Sequence, residues 1–337
     1  MSSARPATLV TALFRRRRAG GKVSLVAFGV PFRVAALDCG TNSTRLLIAD
    51  SDGSPIARRM QVTRLGEGVD ASRRLNPEAV KRTLVVLEEY RQLMDETSVQ
   101  RARLVATSAA RDATNSDEFF RAAEEVTGVP AELLSGQEEG RLSFLGATAL
   151  LPRGWDRERP VLVVDIGGGS TELVGGSPSN PGNARAVSMD IGCVRLTERF
   201  LTDDPPTRSE LVAARAAVDE ALGGAASELP ELDPGGPVIG LAGTVSTLAS
   251  LAGQLEIYDR ERIHHVVLPR QEVHSWLSRL ASEDVEARRR RPGMDPGRAD
   301  VIVGGVLVLA AVMDDFDRGY CLVSEDDILD GLVASLL

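Results

Sequence analysis

At 337 residues, with 43% hydrophobic and 26% charged residues, the chain has ordinary globular proportions and is long enough for about two domains. That excludes a small stapled module, wholesale disorder and a coiled-coil rod. The net charge of −9 argues against a protein that holds nucleic acid by general attraction to phosphates.

The charge is uneven. Residues 1–33 carry seven basic residues and no acid, and subtracting them leaves −16 for residues 34–337. Arg15–Arg18 followed by the weakly apolar Val23–Phe32 imitates a secretory signal, but no small-residue cleavage site follows and the apolar stretch runs into a strand. Residues 1–32 therefore read as a disordered extension or a misassigned start, with initiation near Val30. Cys39, Cys193 and Cys321 are scattered, which disfavours a disulfide framework and a zinc site. The longest apolar run, Val301 to Met313, is shorter than the ~20 residues that span a bilayer. The expectation is a cytoplasmic protein without a membrane partner.

From Phe32 the chain reads as three short strands separated by turns at Gly40–Ser43 and Ser51–Ser54. Asn76-Pro77-Glu78 supplies an N-cap, a first-turn proline and an early acid, opening a helix to about Met94. A buried-type strand, Arg103 to Ala106, leads into the loop TSAARDATN. A helix from about Asp117, a strand near Ala131–Leu134 and another helix follow. Pro152–Pro160 reads as a linker. Beyond it PVLVVDIGGGSTELVGG repeats strand, Asp-x-Gly turn and strand, with Asp165 lying 127 residues after Asp38. A third strand near Ala184–Met189 and helices near Arg195–Leu201 and Arg208–Leu222 complete the second copy.

Two such turns have a physical purpose. Consecutive backbone N–H groups in a tight glycine turn form a nest for phosphate oxygens, and an adjacent aspartate can hold the divalent cation that screens them. A single copy is equally an aspartate capping an ordinary hairpin. Duplication at matching positions favours the phosphate reading.

The blocks DCGTNSTRLLIAD, ATSAARDATN, SGQEEGRLSFLGA, DIGGGSTELV, DIGCVRLTE, GLAGTVSTLA, GRADVIVGG and SEDDILDGL together resemble the exopolyphosphatase and guanosine pentaphosphate phosphohydrolase family, in its short actinobacterial form. The resemblance runs from about Arg33 to Leu337, without the extra C-terminal helical domains of longer members. It implies an α/β class fold, a duplicated actin-like (ribonuclease H-like) pair of lobes around a central cleft. The lobes would span 33–151 and 160–324, and a C-terminal helix at 325–337 is able to pack back on the first.

The resemblance implies an exopolyphosphatase that uses Mg2+ or Mn2+ to release orthophosphate from inorganic polyphosphate. Guanosine pentaphosphate is an alternative substrate, because both offer a terminal phosphoanhydride. An ATP-dependent kinase or ATPase of the same superfold is a further alternative, and a silent sensor of the same ligands is disfavoured by the intact acidic and basic set. No specific nucleic acid is expected as partner, and a homodimer is left open.

Hydrolysis by in-line water attack needs charge neutralisation, orientation and a base. Ser135 and Glu138 have capping-box spacing, so Glu138 has a structural task. Glu139 points about 100° away on a helix and is free to face the cleft. On residues alone a solvent-facing glutamate interacting with the helix dipole is the favoured reading, and the resemblance reverses it, making Glu139 the water-activating base. Arg111 is either a phosphate clamp or the partner of Asp112, and the resemblance favours the clamp. The phosphate cradle expected from the resemblance comprises Gly40, Thr41, Asn42, Ser43, Gly167, Gly168, Gly169, Ser170 and Thr171. Gly240, Gly243 and Thr244, between a strand and a helix N-terminus, form a further anion site. Asp38, Asp165 and Glu172 are the metal or water-network candidates. Cys193 reads as either a cleft residue or a buried thiol. His264 and His265 read as packing residues. Arg288–Arg291 reads as a solvated helix face ahead of a polyphosphate docking strip.

Overall fold

The computed structural model describes residues 32–229 and 237–337; the basic leader expected at 1–32 lies almost wholly outside them. The first half contains β1 (Arg33–Cys39), β2 (Ser43–Asp50), β3 (Pro55–Val62), α1 (Val69–Ser72), α2 (Pro77–Glu96), β4 (Arg101–Ala106), α3 (Ser108–Asp112), α4 (Ser116–Thr127), β5 (Ala131–Leu133) and α5 (Gly136–Ala149). The second contains β6 (Val161–Ile166), β7 (Thr171–Gly176), β8 (Arg185–Met189), α6 (Cys193–Phe200), α7 (Arg208–Ala226), β9 (Val238–Leu241), α8 (Ala242–Ala252), α9 (Arg260–Ile263) and β10 (Val267–Pro269), followed by α10 (Arg270–Ala281), α11 (Val285–Arg289), α12 (Ile302–Asp315), β11 (Tyr320–Val323) and α13 (Ile328–Leu336).

The sheets run β3-β2-β1-β4-β5 and β10-β11-β9-β6-β7-β8. In each, an antiparallel three-strand meander is extended by parallel strands on the far side of its first member. Stripped of β10, the two orders coincide, which makes the molecule a duplicated actin-like, two-lobed α/β protein. Asn76 caps α2 as its sequence requires, accepting from the Glu78 N–H at 2.9 Å. No helix of the described residues is long and apolar enough to cross a membrane; the apolar run from Val301 becomes α12, buried from Ile302 to Met313 in the largest core.

The last helix of each half serves a particular sheet. Helix α5 packs on the second sheet, where Phe144 and Ala147 join Val161, Val163 and Val174 in one apolar cluster. Helix α13 covers the first sheet, with Ile328, Leu329, Leu332 and Val333 against Val34, Ala36, Leu47, Ala49 and Val105. The two helices cross at glycines. A Cβ on Gly146 would stand 1.9 Å from the Asp327 carbonyl oxygen, and one on Gly331 would stand 2.1 Å from that of Leu142. Backbone therefore meets backbone there.

The lobes are also stapled along one rim of the cleft. Arg199 grips Asp70 through two nitrogens at 2.5 Å, buried Arg195 pairs with Asp112 and lies 3.6 Å from Asp70, and Arg64 pairs with Asp300 at 2.8 Å. Three of the four arginines in the Arg288–Arg291 run are committed locally: Arg288 is buried against Asp204 and the Ala299 carbonyl, Arg289 pairs with Glu286 and Arg291 with Glu283. That leaves little of it for a docking strip.

Gly146→Ala should lower unfolding free energy by about 1–3 kcal/mol, the usual cost of overpacking, as read by chemical denaturation. A variant as stable as the parent would show that the crossing is looser than described.

Candidate active site

The β1–β2 and β6–β7 turns face each other across the cleft. The first is closed by an N–H to C=O bond from Gly40 to Ser43 at 3.0 Å. The turns approach so closely that a Cβ on Gly168 would lie 2.8 Å from the Thr41 Cβ, and one on Gly169 would lie 2.5 Å from the Ser108 hydroxyl. Glycine is required here by proximity. Between the turns lies a cavity of about 60 Å3 lined by Asp38, Gly40–Ser43, Arg45, Thr107, Ser108, Glu139, Asp165–Ser170, Ala242, Gly243 and Arg298. It adjoins a larger chamber of about 680 Å3, with Arg45, Ala242, Gly243 and Arg298 common to both.

Of the expected cradle, Gly40, Thr41, Asn42, Ser43, Gly167, Gly168, Gly169, Ser170 and Gly243 line this cavity. Thr171 and Thr244 do not. Thr171 is fully buried and donates its hydroxyl to the Ile191 carbonyl at 2.5 Å. Thr244 is buried against Gly305 of α12. Ala242 holds a left-handed backbone at φ 65°, a costly geometry for a residue with a Cβ. It opens α8, whose N-terminus has no side-chain cap and so keeps N–H groups for an anion.

Glu139 lies one turn into α5. Ser135 caps that helix by accepting from the Glu138 N–H at 3.2 Å, while Glu138 itself is exposed. Glu139, Ser143 and Gly146 stand four and three residues apart, hence on one stripe. That stripe presents a carboxylate to the cavity, a hydroxyl to Asp165 at 2.6 Å and a glycine to α13. Burial raises the Glu139 pKa, Arg111 opposes it, and the balance is about 7. Arg111 donates to Glu139 at 2.6 Å and to the Leu134 carbonyl at 3.0 Å, and reaches toward Ser170 at 3.4 Å. It sits behind the base, not on the cavity wall, and it does not pair with Asp112, which turns to Arg195.

The three acids expected to hold metal occupy different settings. Asp165 lines the cavity, and burial raises its pKa to about 6. Asp38 lines the opposite wall; its Oδ2 is gripped by Arg45 from Nε at 2.9 Å and Nη2 at 2.6 Å, and its Oδ1 is buried without a partner. Glu172 lies behind the wall, 1% exposed, with Oε1 accepting from Ser188 at 2.8 Å and Oε2 unpartnered. Burial pushes its pKa well up, as does the neighbouring Glu139. Among the described residues, no three His, Cys, Asp or Glu side chains form a ready-made metal site.

Sequence reasoning missed Arg45, Arg298, Thr107 and Ser108. The missed signal is register: Arg45 stands directly opposite Asp38, and Glu172 directly opposite Asp165, each seven residues downstream. Arg298 was hidden because it reaches Gly243, where a Cβ would fall 1.8 Å from its guanidinium carbon. Cys193 is buried, its N–H donating to the Gly167 carbonyl at 2.9 Å. His264 and His265 stack at 3.7 Å, and the His264 Nδ1 accepts from the Glu325 N–H at 3.0 Å; burial lowers its pKa to about 4, so the ring is neutral.

Comparison with known proteins agrees with this geometry. Residues 47–337 match the model of the Ppx/GppA phosphatase family. Exopolyphosphatase 2 of Mycobacterium tuberculosis is 42% identical over 320 residues, covering 90% of this chain and 98% of that protein. The crystal structure of an exopolyphosphatase-like protein superposes with a TM-score of 0.81 at 37% identity, over 90% of this chain and 98% of the other. That of the Aquifex aeolicus Ppx/GppA family member gives 0.75 at 33% identity, over 91% and 98%. The duplicated sheets, the paired glycine turns and this continuous similarity place the chain in the Ppx/GppA phosphatase family.

Proposed function

We propose that the chain is an exopolyphosphatase, which hydrolyses the terminal phosphoanhydride of inorganic polyphosphate and releases orthophosphate. The observation that carries this reading is the convergence of two glycine turns and the Glu139 carboxylate on one small cavity. Turn amides bind the oxygens of the terminal phosphoryl group and hold it in line with a water molecule. Glu139 takes the proton from that water as the new P–O bond forms and the bridging P–O bond breaks, the shortened polyphosphate leaving with the bridging oxygen. Arg111 fixes the Glu139 carboxylate and offers a guanidinium near Ser170 as charge develops.

A divalent cation fits the acidic wall, since Asp38 Oδ1 is a buried oxygen without a partner and Asp165 faces it from the other lobe. Mg2+ is commonly held by one or two carboxylates together with substrate phosphates, so the lack of a three-carboxylate group is no obstacle. Asp38 and Asp165 would hold it, and it would supply charge neutralisation at the phosphates. Glu172, behind the wall, is a less direct participant.

One observation favours a second substrate. The chamber beside the cavity has apolar walls from Met60, Leu255, Met294 and Leu329, which a bare polyphosphate does not need and a nucleoside does. Guanosine pentaphosphate, cleaved at the same phosphoanhydride, would place its nucleoside there. Phosphate release from short polyphosphate, long polyphosphate and guanosine pentaphosphate, measured side by side with Mg2+ and Mn2+, tests both; release from none of them contradicts hydrolysis at this site.

Glu139→Gln should lower kcat by about 100-fold or more, the range of a lost general base, with KM changed far less. A base must be deprotonated to act, and burial, with Asp165 and Asp38 nearby and Arg111 opposing, sets the Glu139 pKa at about 7. Activity should therefore be full above that pH and fall as pH drops through about 7. An acid limb near 4.5 would show that Glu139 is not the titrating base.

A further inference from the structure

We infer that Asp327 is a positioning residue of the cleft: it holds Arg45, and through Arg45 the carboxylate of Asp38, so that the N-cap of the C-terminal helix sets the geometry of the first glycine turn. The duplication places the same two positions in both lobes. Asp38 faces Arg45 and Asp165 faces Glu172 at the same register in their sheets, so one structural position carries a cation in the first lobe and an acid in the second. Each lobe then receives support from the helix lying on its sheet. Ser143 on α5 donates to Asp165. Asp327, at the head of α13, accepts from Arg45 Nη1, while the other two donors of that guanidinium converge on Asp38 Oδ2.

Asp327 is itself held firmly. Its Oδ1 accepts from the Leu329 N–H at 2.9 Å, its own N–H donates to Asp330 Oδ2 at 2.8 Å, and its carbonyl abuts Gly146 of α5. Arg58 Nη1 stands 3.7 Å from Oδ1 and pairs chiefly with Asp330, at 2.6 Å. With one carboxylate on each side, Arg45 has a single orientation, and it leaves Asp38 Oδ1 as the unpartnered oxygen at the cavity. Neutralising Asp327 frees Arg45 Nη1 to seek another anion, and the clamp on Asp38 loosens.

The test rests on the hydrolase reading and uses tripolyphosphate hydrolysis with Mg2+. Asp327→Asn keeps a capping side chain, because Asn and Asp cap comparably, but removes the charge that holds Arg45. Its kcat should fall about tenfold or more, the usual scale for an outer-shell partner of a site ligand, with KM changed less than about threefold. In an Arg45→Gln background the same substitution should cost nothing further, whereas in an Arg58→Gln background it should cost its full amount. Asp327→Ser, which also caps, should behave like Asp327→Asn and serves if the latter does not fold. Parent-like kcat in these variants, or a loss that adds to that of Arg45→Gln, overturns the inference. An inactive parent protein would instead overturn the hydrolase reading.

Discussion

The crossing of α5 and α13 at Gly146 and Gly331 is the constraint from which the site follows. With backbone meeting backbone, the helices that close the two halves sit at a fixed distance, and each carries site chemistry at its own N-terminal end. Helix α5 brings Glu139 to the cavity and Ser143 to Asp165, while α13 brings Asp327 to Arg45. A side chain at the crossing would separate both sets at once. The two glycine turns repeat the device on a smaller scale, since Gly168 and Gly169 come close to Thr41 and Ser108 only because they lack a Cβ.

Electrostatics explains how an acidic body handles a polyanion. Beyond residue 33 the chain carries a net −16, so long-range attraction is poor, and in the proposed reading affinity arises locally from turn amides, a few oriented arginines and a cation. The arginines near the site are held by carboxylates in the resting molecule: Arg45 by Asp38 and Asp327, Arg111 by Glu139. Pre-paired guanidiniums are already oriented when substrate arrives. Burial then does the tuning, lifting Glu139 to about 7 and Asp165 to about 6, where a carboxylate can exchange protons near neutral pH.

Much of this was legible in the sequence. Period-two runs broken by Asp-x-Gly turns gave both meanders, and the SGQEEG block placed Glu139 beside a capped helix start. Cap chemistry is local, so Asn76 and Ser135 were readable too. What escaped depends on residues far apart in sequence: Arg45 meets Asp327 across 282 positions, Arg195 meets Asp112 across 83, and Arg111 reaches Glu139 across 28. Thr171 and Thr244 were drawn into the cradle because they continue glycine-rich motifs. Their hydroxyl-bearing side chains point into the protein, toward Ile191 and Gly305. The short elements α1, α9, β10 and α11 have too few residues for a period to register.

The central claim is positional: the terminal phosphoryl group sits between the two glycine turns, beside Glu139. A crystal structure of the Glu139→Gln protein with tripolyphosphate and Mg2+ tests it most directly. The terminal phosphate should lie within hydrogen-bond distance of amides from both the Gly40–Ser43 and the Gly167–Ser170 turns. Tripolyphosphate bound only in the adjoining chamber, with no phosphate between the turns, would contradict the account.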